Sequence, residues 1–181
     1  AEYATRAGGR KIVHTSSLSV HGRIEADVVD ERTPSIEPGV YGASKLAGER
    51  ILAEAAGALA VLSLRLPGTL GLGAHRAWIP TVTERLRAGA PVQIYNPEAR
   101  FNNAMHVEDL GRLVVRALQQ PWQGYRALPL GAAGMTTVGA AVETLKQALG
   151  SRSAVEVVAK SGHGFTISSA AAQAEFGYDP M

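Results

Sequence analysis

The chain has 181 residues, of which 46% are hydrophobic and 19% charged, a balance that excludes an intrinsically disordered or low-complexity protein. It contains no cysteine, which excludes a disulfide framework, a thiol nucleophile and a thiolate metal site. The formal net charge of +2 is spread without a basic stripe, and every apolar run is far shorter than a membrane span, so we expect neither nucleic acid nor a membrane as a partner.

The first 73 residues alternate helical and extended patterns. In chain order they predict a helix end over 1–7, a strand over 11–15, a loop over 21–40, a helix over 41–56 and a strand over 59–66. The first strand ends in the polar pair Ser16 and Ser17, and the second ends at Pro67 and Gly68. The second strand is almost continuously apolar, which is typical of a strand covered on both faces of a sheet.

The same alternation continues to the end of the chain. The later segments predict helices over 75–87, 107–119, about 137–149 and 168–176, and extended pieces over 91–95, 102–106, 125–130 and 155–159. Thr136 or Thr137 is the expected cap of the third of these helices, and Ser168 or Ser169 that of the last. Strands that alternate with helices predict an α/β fold with a largely parallel sheet.

The clearest chemical feature is the pair Tyr41 and Lys45 in the segment YGASK. Residues four apart lie on one face of a helix, so the ammonium of Lys45 is expected near the phenol of Tyr41. A nearby cation favours the phenolate, which makes Tyr41 a candidate general acid or base for an alcohol or ketone. Ser17 lies at the carboxyl end of a predicted strand, where α/β sheets bind ligands, and could hold the substrate oxygen.

The remaining polar residues favour structural roles. The five histidines include no pair with i, i+4 spacing and no accompanying carboxylate cluster, so we expect no metal site. A structural role is favoured for His14 and a local hydrogen bond for His106. Glu108 and Asp109 fall in the first turn of a predicted helix, where acids face the helix dipole favourably. A Gly-x-Ser-x-Gly elbow is absent, which disfavours a serine hydrolase.

The order of five segments resembles the extended short-chain dehydrogenase/reductases, the NAD-dependent epimerase/dehydratase family. The segments are TSSLSVHG (15–22), DERTP (30–34), YGASKLAGE (41–49), LRLPGTLGLG (64–73) and FNNAMHVEDL (101–110). The likeness extends almost to the end of the chain, to FGYDP (176–180). It implies the C-terminal part of a doubly wound parallel, Rossmann-like sheet (residues 1–73) with a small α/β substrate domain (74–181), of which about 101–120 would pack back on the sheet.

The resemblance also implies the parts of an active site. Ser17, Tyr41 and Lys45 would be catalytic, with Lys45 also orienting the nicotinamide ribose. The implied cofactor is NAD or NADP, and its implied contacts are Thr15, Ser16, Tyr41, Lys45, Leu66, Pro67 and Gly68. The implied substrate is a nucleotide sugar or a similar hydroxyl or carbonyl compound. A homodimer through the helix of Tyr41 is also implied.

The departures from the family pattern concern the substrate and the cofactor. His21 stands where the family usually has Tyr, Gly68 where many members have a substrate-binding Asn, and Asn102 where several have a phosphate-binding Arg, although Arg100 is two residues away. His21, Arg100 and Asn102 are therefore the candidate substrate contacts. These changes disfavour a standard UDP-hexose 4-epimerase and leave other nucleotide sugars or a smaller carbonyl substrate open.

The glycine-rich G-x-x-G-x-x-G turn that opens the family's fold is not present, and the chain starts without Met in what reads as mid-domain sequence. We therefore expect the C-terminal portion of a longer enzyme, inactive on its own. Two alternatives are a non-catalytic fragment or ligand-binding module of this fold, and a nucleotide-sugar-binding regulator without redox chemistry. The lack of a visible secretory signal predicts a cytoplasmic protein.

Overall fold

The computed structural model describes residues 1–74, 77–159 and 164–180. Its helices are α1 (Glu2–Arg6), α2 (Val40–Glu54), α3 (Trp78–Arg87), α4 (Val107–Gln119), α5 (Val138–Ala148) and α6 (Ala170–Phe176). Its strands are β1 (Lys11–Ser17), β2 (Val28–Val29), β3 (Ala60–Leu66), β4 (Gly68–Leu70), β5 (Val92–Ile94), β6 (Arg100–Phe101), β7 (Ala104–His106), β8 (Tyr125–Pro129), β9 (Thr136–Thr137), β10 (Val155–Val157) and β11 (Thr166–Ile167).

The central sheet has the strand order β1-β3-β8, and both of its strand pairs are parallel. β1 pairs with β3 over its whole length, from Lys11 beside Ala60 to Ser17 beside Leu66. Helices lie between these strands in the chain, as parallel pairing requires. The α/β fold with a parallel sheet expected from the sequence is confirmed.

The two faces of the central sheet differ in chemistry. One face is apolar, and its leucines pack with residues of α4 and α6; the buried members of this cluster are Leu62, Leu64, Met105, Leu113, Ala117, Leu128, Leu130, Ala172, Phe176 and Tyr178. The other face lies under α2 and carries the polar side chains of Ser16 and Arg65, which both contact Glu49 of that helix. The alternation of side chains along a strand separates these two sets.

Helix α4 packs back on the central sheet. Leu113 and Ala117 are buried against the sheet's apolar face. The ammonium of Lys11 donates to the carbonyl oxygens of Ala117 and Leu118 at 3.2 and 2.7 Å, which ties the start of β1 to the end of α4. A cation at this position also suits the helix C-terminus. The division of the chain at residue 73 stays a prediction.

A second apolar cluster joins α3 and α5 to the parallel pair of β5 and β10; its buried members are Val82, Leu86, Val92, Ile94 and Val142. Of the helix predicted over 75–87, residues 75 and 76 lie outside the described residues, and α3 runs over Trp78–Arg87.

The predicted cap of α5 is present, because the Thr137 hydroxyl accepts from the Ala140 amide. No helix within the described ranges has the length and apolar character needed to cross a membrane.

Three short pairings depart from the sequence expectations. β2 lies inside the predicted loop and pairs with β11, and β6 pairs with β9, each strand being two residues long. β4 begins at Gly68, where the sequence predicted only the end of a strand. Of the two predicted caps of α6, Ser169 occupies the N-cap position, but its hydroxyl accepts from the Gly131 amide. The Ser168 hydroxyl accepts from the Ala170 amide at the start of the helix, at 3.4 Å.

Candidate active site

The carboxyl end of β1 is the first part of the site. Ser17 ends the strand, and its hydroxyl accepts from the Ser19 amide at 3.1 Å, which caps the 3-10 turn over Leu18–His21. The same hydroxyl lies 3.2 Å from the Ser19 hydroxyl. Ser17 is half-buried, so its hydroxyl is fixed by local hydrogen bonds and still reaches the surface. It is placed to bind a ligand outside the end of the sheet.

The first turns of α2 supply the second part. The Lys45 ammonium lies 5.8 Å from the centre of the Tyr41 ring, within the range of a cation–π contact. The same ammonium donates to the Thr15 carbonyl oxygen at 2.9 Å, which holds it against the end of β1. The Tyr41 side chain is 59% exposed. The structure thus brings Tyr41 and Lys45 together on one helix face, next to the strand that ends in Ser17.

Gly42 explains how α2 approaches β1 so closely. A Cβ atom at this position would lie 2.0 Å from the Ser19 carbonyl oxygen and 2.7 Å from the Ser19 carbonyl carbon, which is closer than van der Waals contact allows. Since these are backbone atoms, no rotamer change would relieve the clash. The glycine after Tyr41 therefore lets the helix rest directly on the turn that follows Ser17.

A cavity of about 420 Å³ opens beside Ser17. Leu66, Pro67 and Gly68 line it, so the structure places three of the predicted cofactor contacts next to the predicted catalytic serine. Four predicted contacts are not among its lining residues. Tyr41 and Lys45 lie on α2, and Thr15 and Ser16 lie on β1, where Thr15 is exposed and Ser16 is buried. The carbonyl of Thr15 is already used by Lys45.

A second cavity of about 230 Å³ adjoins the first and shares the lining residues Gly68, Ala77 and Asn103. Trp78 and Phe101 form one wall, with ring centres 5.0 Å apart. Ala77 is the N-cap of α3 and offers no side-chain hydrogen bond to the first turn of that helix. The N–H groups of Trp78 and Ile79 in this first turn therefore receive no cap from Ala77, while Pro80 has no N–H, and helix N-termini attract anions.

A buried ion pair lies beneath the site. Glu49, two helical turns after Tyr41, binds the Arg65 guanidinium through both oxygens, at 3.1 and 2.8 Å. Its Oε1 also accepts from the Ser16 hydroxyl at 2.6 Å. The side chains of Glu49 and Arg65 are only 4% and 12% exposed. Three secondary-structure elements, β1, α2 and β3, are joined through this one carboxylate.

The predicted substrate contacts are not brought together. His21 is buried, with Nδ1 3.2 Å from the Pro34 carbonyl and Nε2 3.5 Å from Arg65. Asn102 is also buried, and its amide forms two hydrogen bonds of 2.8 Å with the backbone of Ile167. These contacts favour structural roles for both residues. Arg100 is exposed on β6.

Two histidines beneath α2 are disposed toward the neutral form. Burial lowers the pKa of His21, and the nearby Arg65 adds to this effect, while the Pro34 carbonyl opposes it. Burial lowers the pKa of His14 as well, with a further contribution from Lys45.

The Tyr125 hydroxyl donates to the Ser63 hydroxyl at 3.2 Å, and burial raises the pKa of Tyr125.

The sequence analysis did not select Glu49, Arg65 or Asn103 as site residues. Glu49 could have been found, since it follows Lys45 by one helical turn and so shares its face. Ser63 and Arg65 alternate with leucines inside the apolar run, a signal that one face of β3 is polar. Nothing in the sequence pattern predicts a site role for Asn103. This residue directly precedes β7, and the pairing of β7 with β4 brings it beside Gly68 at the cavities.

Comparisons with known proteins agree with this architecture. A family model described as the NAD dependent epimerase/dehydratase family matches residues 1–131. No curated protein matches the chain. Similar solved structures include MoeE5 in complex with UDP-glucuronic acid and NAD (24% identity, TM-score 0.82) and UDP-glucuronic acid 4-epimerase from Bacillus cereus in complex with NAD (18% identity, TM-score 0.84). Both alignments cover 99% of this chain, which spans 62% and 59% of those two chains.

Proposed function

Because the chain belongs to the NAD-dependent epimerase/dehydratase family, we propose that it carries the catalytic residues of an enzyme that uses NAD to move a hydride at a hydroxyl- or carbonyl-bearing carbon of a nucleotide sugar or similar compound. The observation that carries this proposal is the placement of Lys45. Its ammonium lies between the Thr15 carbonyl and the Tyr41 ring, at the strand end that presents Ser17 to a cavity.

Each of the three side chains has a role that follows from its chemistry. Tyr41 is exposed and exchanges a proton with the substrate oxygen. The ammonium of Lys45 stabilises the negative charge that develops when the Tyr41 phenol gives up its proton. The Ser17 hydroxyl donates a hydrogen bond to the same substrate oxygen and fixes its position.

The residues present fit one half of NAD. Leu66, Pro67 and Gly68 line the cavity beside Ser17 and would contact a flat nicotinamide ring. Lys45 is held at the Thr15 carbonyl of the same strand end and would bind a ribose hydroxyl. When bound, NAD supplies the acceptor and donor of the hydride. The sequence has no G-x-x-G-x-x-G turn, so the diphosphate and adenosine would be held by residues outside this sequence.

The substrate class follows from the second cavity and from the similar structures. The first turn of α3, whose N-cap Ala77 has no side-chain acceptor, would offer the Trp78 and Ile79 amides to a phosphate. MoeE5 has been solved with UDP-glucuronic acid and with UDP-glucose. We therefore propose a nucleotide sugar whose phosphates lie near Ala77 and Trp78. Arg100 remains the candidate for a further phosphate contact; His21 and Asn102 are already engaged with the protein.

Replacement of one phenol tests the proposal. Tyr41→Phe removes the proton donor and leaves the ring, so turnover of UDP-glucose or UDP-glucuronic acid with NAD is expected to fall by roughly 10²–10⁴-fold. The measurement is product formation by the protein that contains this sequence together with a complete dinucleotide site. Nucleotide-sugar binding should change little, and Tyr3→Phe, on an exposed tyrosine in α1, should retain full turnover.

Two outcomes would contradict the proposal. Undiminished turnover in Tyr41→Phe would remove Tyr41 from the chemistry. A wild-type protein that binds NAD and the nucleotide sugars but converts neither would support the binding-module alternative.

A further inference from the structure

Glu49 is a buried anion that the proposed chemistry does not use. Its carboxylate accepts three hydrogen bonds, two from Arg65 and one from the Ser16 hydroxyl. A buried carboxylate needs this degree of compensation to remain charged. Two of the bonds come from one guanidinium on β3 and the third from a hydroxyl on β1, so the carboxylate of α2 is fixed relative to both strands.

The ion pair is not explained by stability. Buried ion pairs are often no more stabilising than apolar side chains of the same volume, because both charges lose their hydration. The largest apolar cluster of the molecule packs on the opposite face of the same sheet. What an apolar replacement could not reproduce is the geometry that the carboxylate imposes on Ser16.

Ser16 lies between the two residues of β1 that matter for the proposed reaction. The peptide group before it contains the Thr15 carbonyl that accepts from Lys45, and the peptide group after it leads to Ser17. Its side chain is buried and bound to Glu49 at 2.6 Å. Holding this side chain restricts the rotation of both neighbouring peptide groups.

We infer that Glu49 is a positioning residue of the proposed site: through Ser16 it fixes the Thr15 carbonyl that anchors the Lys45 ammonium beside Tyr41. Arg65 takes part by holding the carboxylate in one orientation. Glu49 also lies one helical turn after Lys45, so the helix is fixed to the strand end at two successive turns of the same face. This inference rests on the proposed function for its catalytic meaning, but the coupling to Lys45 can be measured without turnover.

The measurement is the nuclear magnetic resonance spectrum of the lysines after reductive ¹³C-methylation. The sequence contains four lysines, at positions 11, 45, 146 and 160, so four lysine resonances are expected beside that of the methylated α-amino group, and Lys45→Arg assigns the one of interest. Glu49→Gln keeps the shape of the side chain and removes its charge. Ser16→Ala removes only the hydroxyl that links Glu49 to the strand.

In both variants we expect the Lys45 methyl resonance to move toward the positions of exposed lysines, because its carbonyl partner is no longer fixed. Glu54→Gln, on the exposed end of the same helix, is the matched control and should leave the resonance unchanged. If Glu49→Gln fails to fold, Ser16→Ala alone decides. An unmoved Lys45 resonance in a folded Ser16→Ala protein would overturn the inference.

Turnover then separates the two proposals. Where the proposed function holds, Glu49→Gln and Ser16→Ala should lower kcat per folded molecule with little change in KM for the nucleotide sugar. A general loss of folded protein would instead lower the folded fraction measured by circular dichroism and leave kcat per folded molecule unchanged. A moved resonance in a protein without any turnover would support the positioning role and contradict the proposed function.

Discussion

At the scale of single residues, His21 shows how an environment assigns a role that sequence position does not. It stands where the resembling family usually has Tyr, which predicted a substrate contact. In the structure its imidazole is 1% exposed and faces Pro34 and Arg65. A neutral ring that donates from Nδ1 to the Pro34 carbonyl and presents the Nε2 lone pair to the Arg65 guanidinium satisfies both contacts.

This environment predicts that acid destabilises the fold. The pKa of His21 is lowered by burial, and that of His14 is lowered in the same direction. The unfolded chain therefore takes up protons near pH 6.5, where the folded chain does not, and the free energy of unfolding falls as the pH decreases below that value. Urea unfolding at pH 7.5 and pH 5.5 measures the difference.

His21→Gln should reduce this pH dependence, because it removes one of the two groups whose protonation the fold resists. His14→Gln should also reduce the pH dependence of the free energy of unfolding, because burial lowers the pKa of His14 as well. His14 contacts Ser63 on the neighbouring strand. Equal urea midpoints at the two pH values in the wild-type protein would contradict the assignment of neutral, buried histidines.

At the scale of elements, regular patterns were predictable and short pairings were not. The helix predicted over residues 107–119 is α4 (Val107–Gln119), because its apolar residues recur at helical spacing and polar residues cover the other face. β2, β6, β9 and β11 have two residues each, too few for any periodicity to show in the sequence. They exist because loops of distant parts of the chain meet, which is information that local sequence does not contain.

The same contrast holds for the site. The spacing of Tyr41 and Lys45 predicted their proximity, because a helix fixes the relation of residues four apart. Three other features depend on how separate elements pack, so local sequence does not predict them: the bond of Lys45 to the Thr15 carbonyl, the ion pair of Glu49 and Arg65, and the position of Asn103 in the cavity wall.

Gly42 provides a test at this scale. In an exposed helix interior, Gly→Ala stabilises a protein by up to about 1 kcal/mol. Gly111→Ala in α4 should show that gain, because an added Cβ meets no atom within 4 Å there. Gly42→Ala should instead destabilise the protein by about 1–3 kcal/mol, since its Cβ would overlap the Ser19 carbonyl and force α2 away from the turn. Urea unfolding of both variants makes the comparison; stabilisation by Gly42→Ala would contradict the close approach of helix and turn.

At the scale of the whole molecule, the two faces of the central sheet have different roles: one packs the largest apolar cluster, and the other contacts the helix that carries Tyr41 and Lys45. One face is covered by α4 and α6 and contains the largest apolar cluster. The other face carries the polar side chains of Ser16 and Arg65 and lies under α2, the helix that contains Tyr41 and Lys45. The start of α3 lines the second cavity through Ala77, Trp78 and Ile79. We propose that this chain binds the nicotinamide end of the dinucleotide and supplies the adjoining substrate cavities.

Saturation-transfer nuclear magnetic resonance with NAD tests that assignment most directly, because it reports which end of the dinucleotide touches the protein. We predict stronger transfer to the nicotinamide protons than to the adenine protons, and loss of the nicotinamide signal in Lys45→Met, with circular dichroism confirming that both proteins are folded. Transfer mainly to the adenine protons, or no transfer to the nicotinamide of the folded wild-type chain, would contradict it.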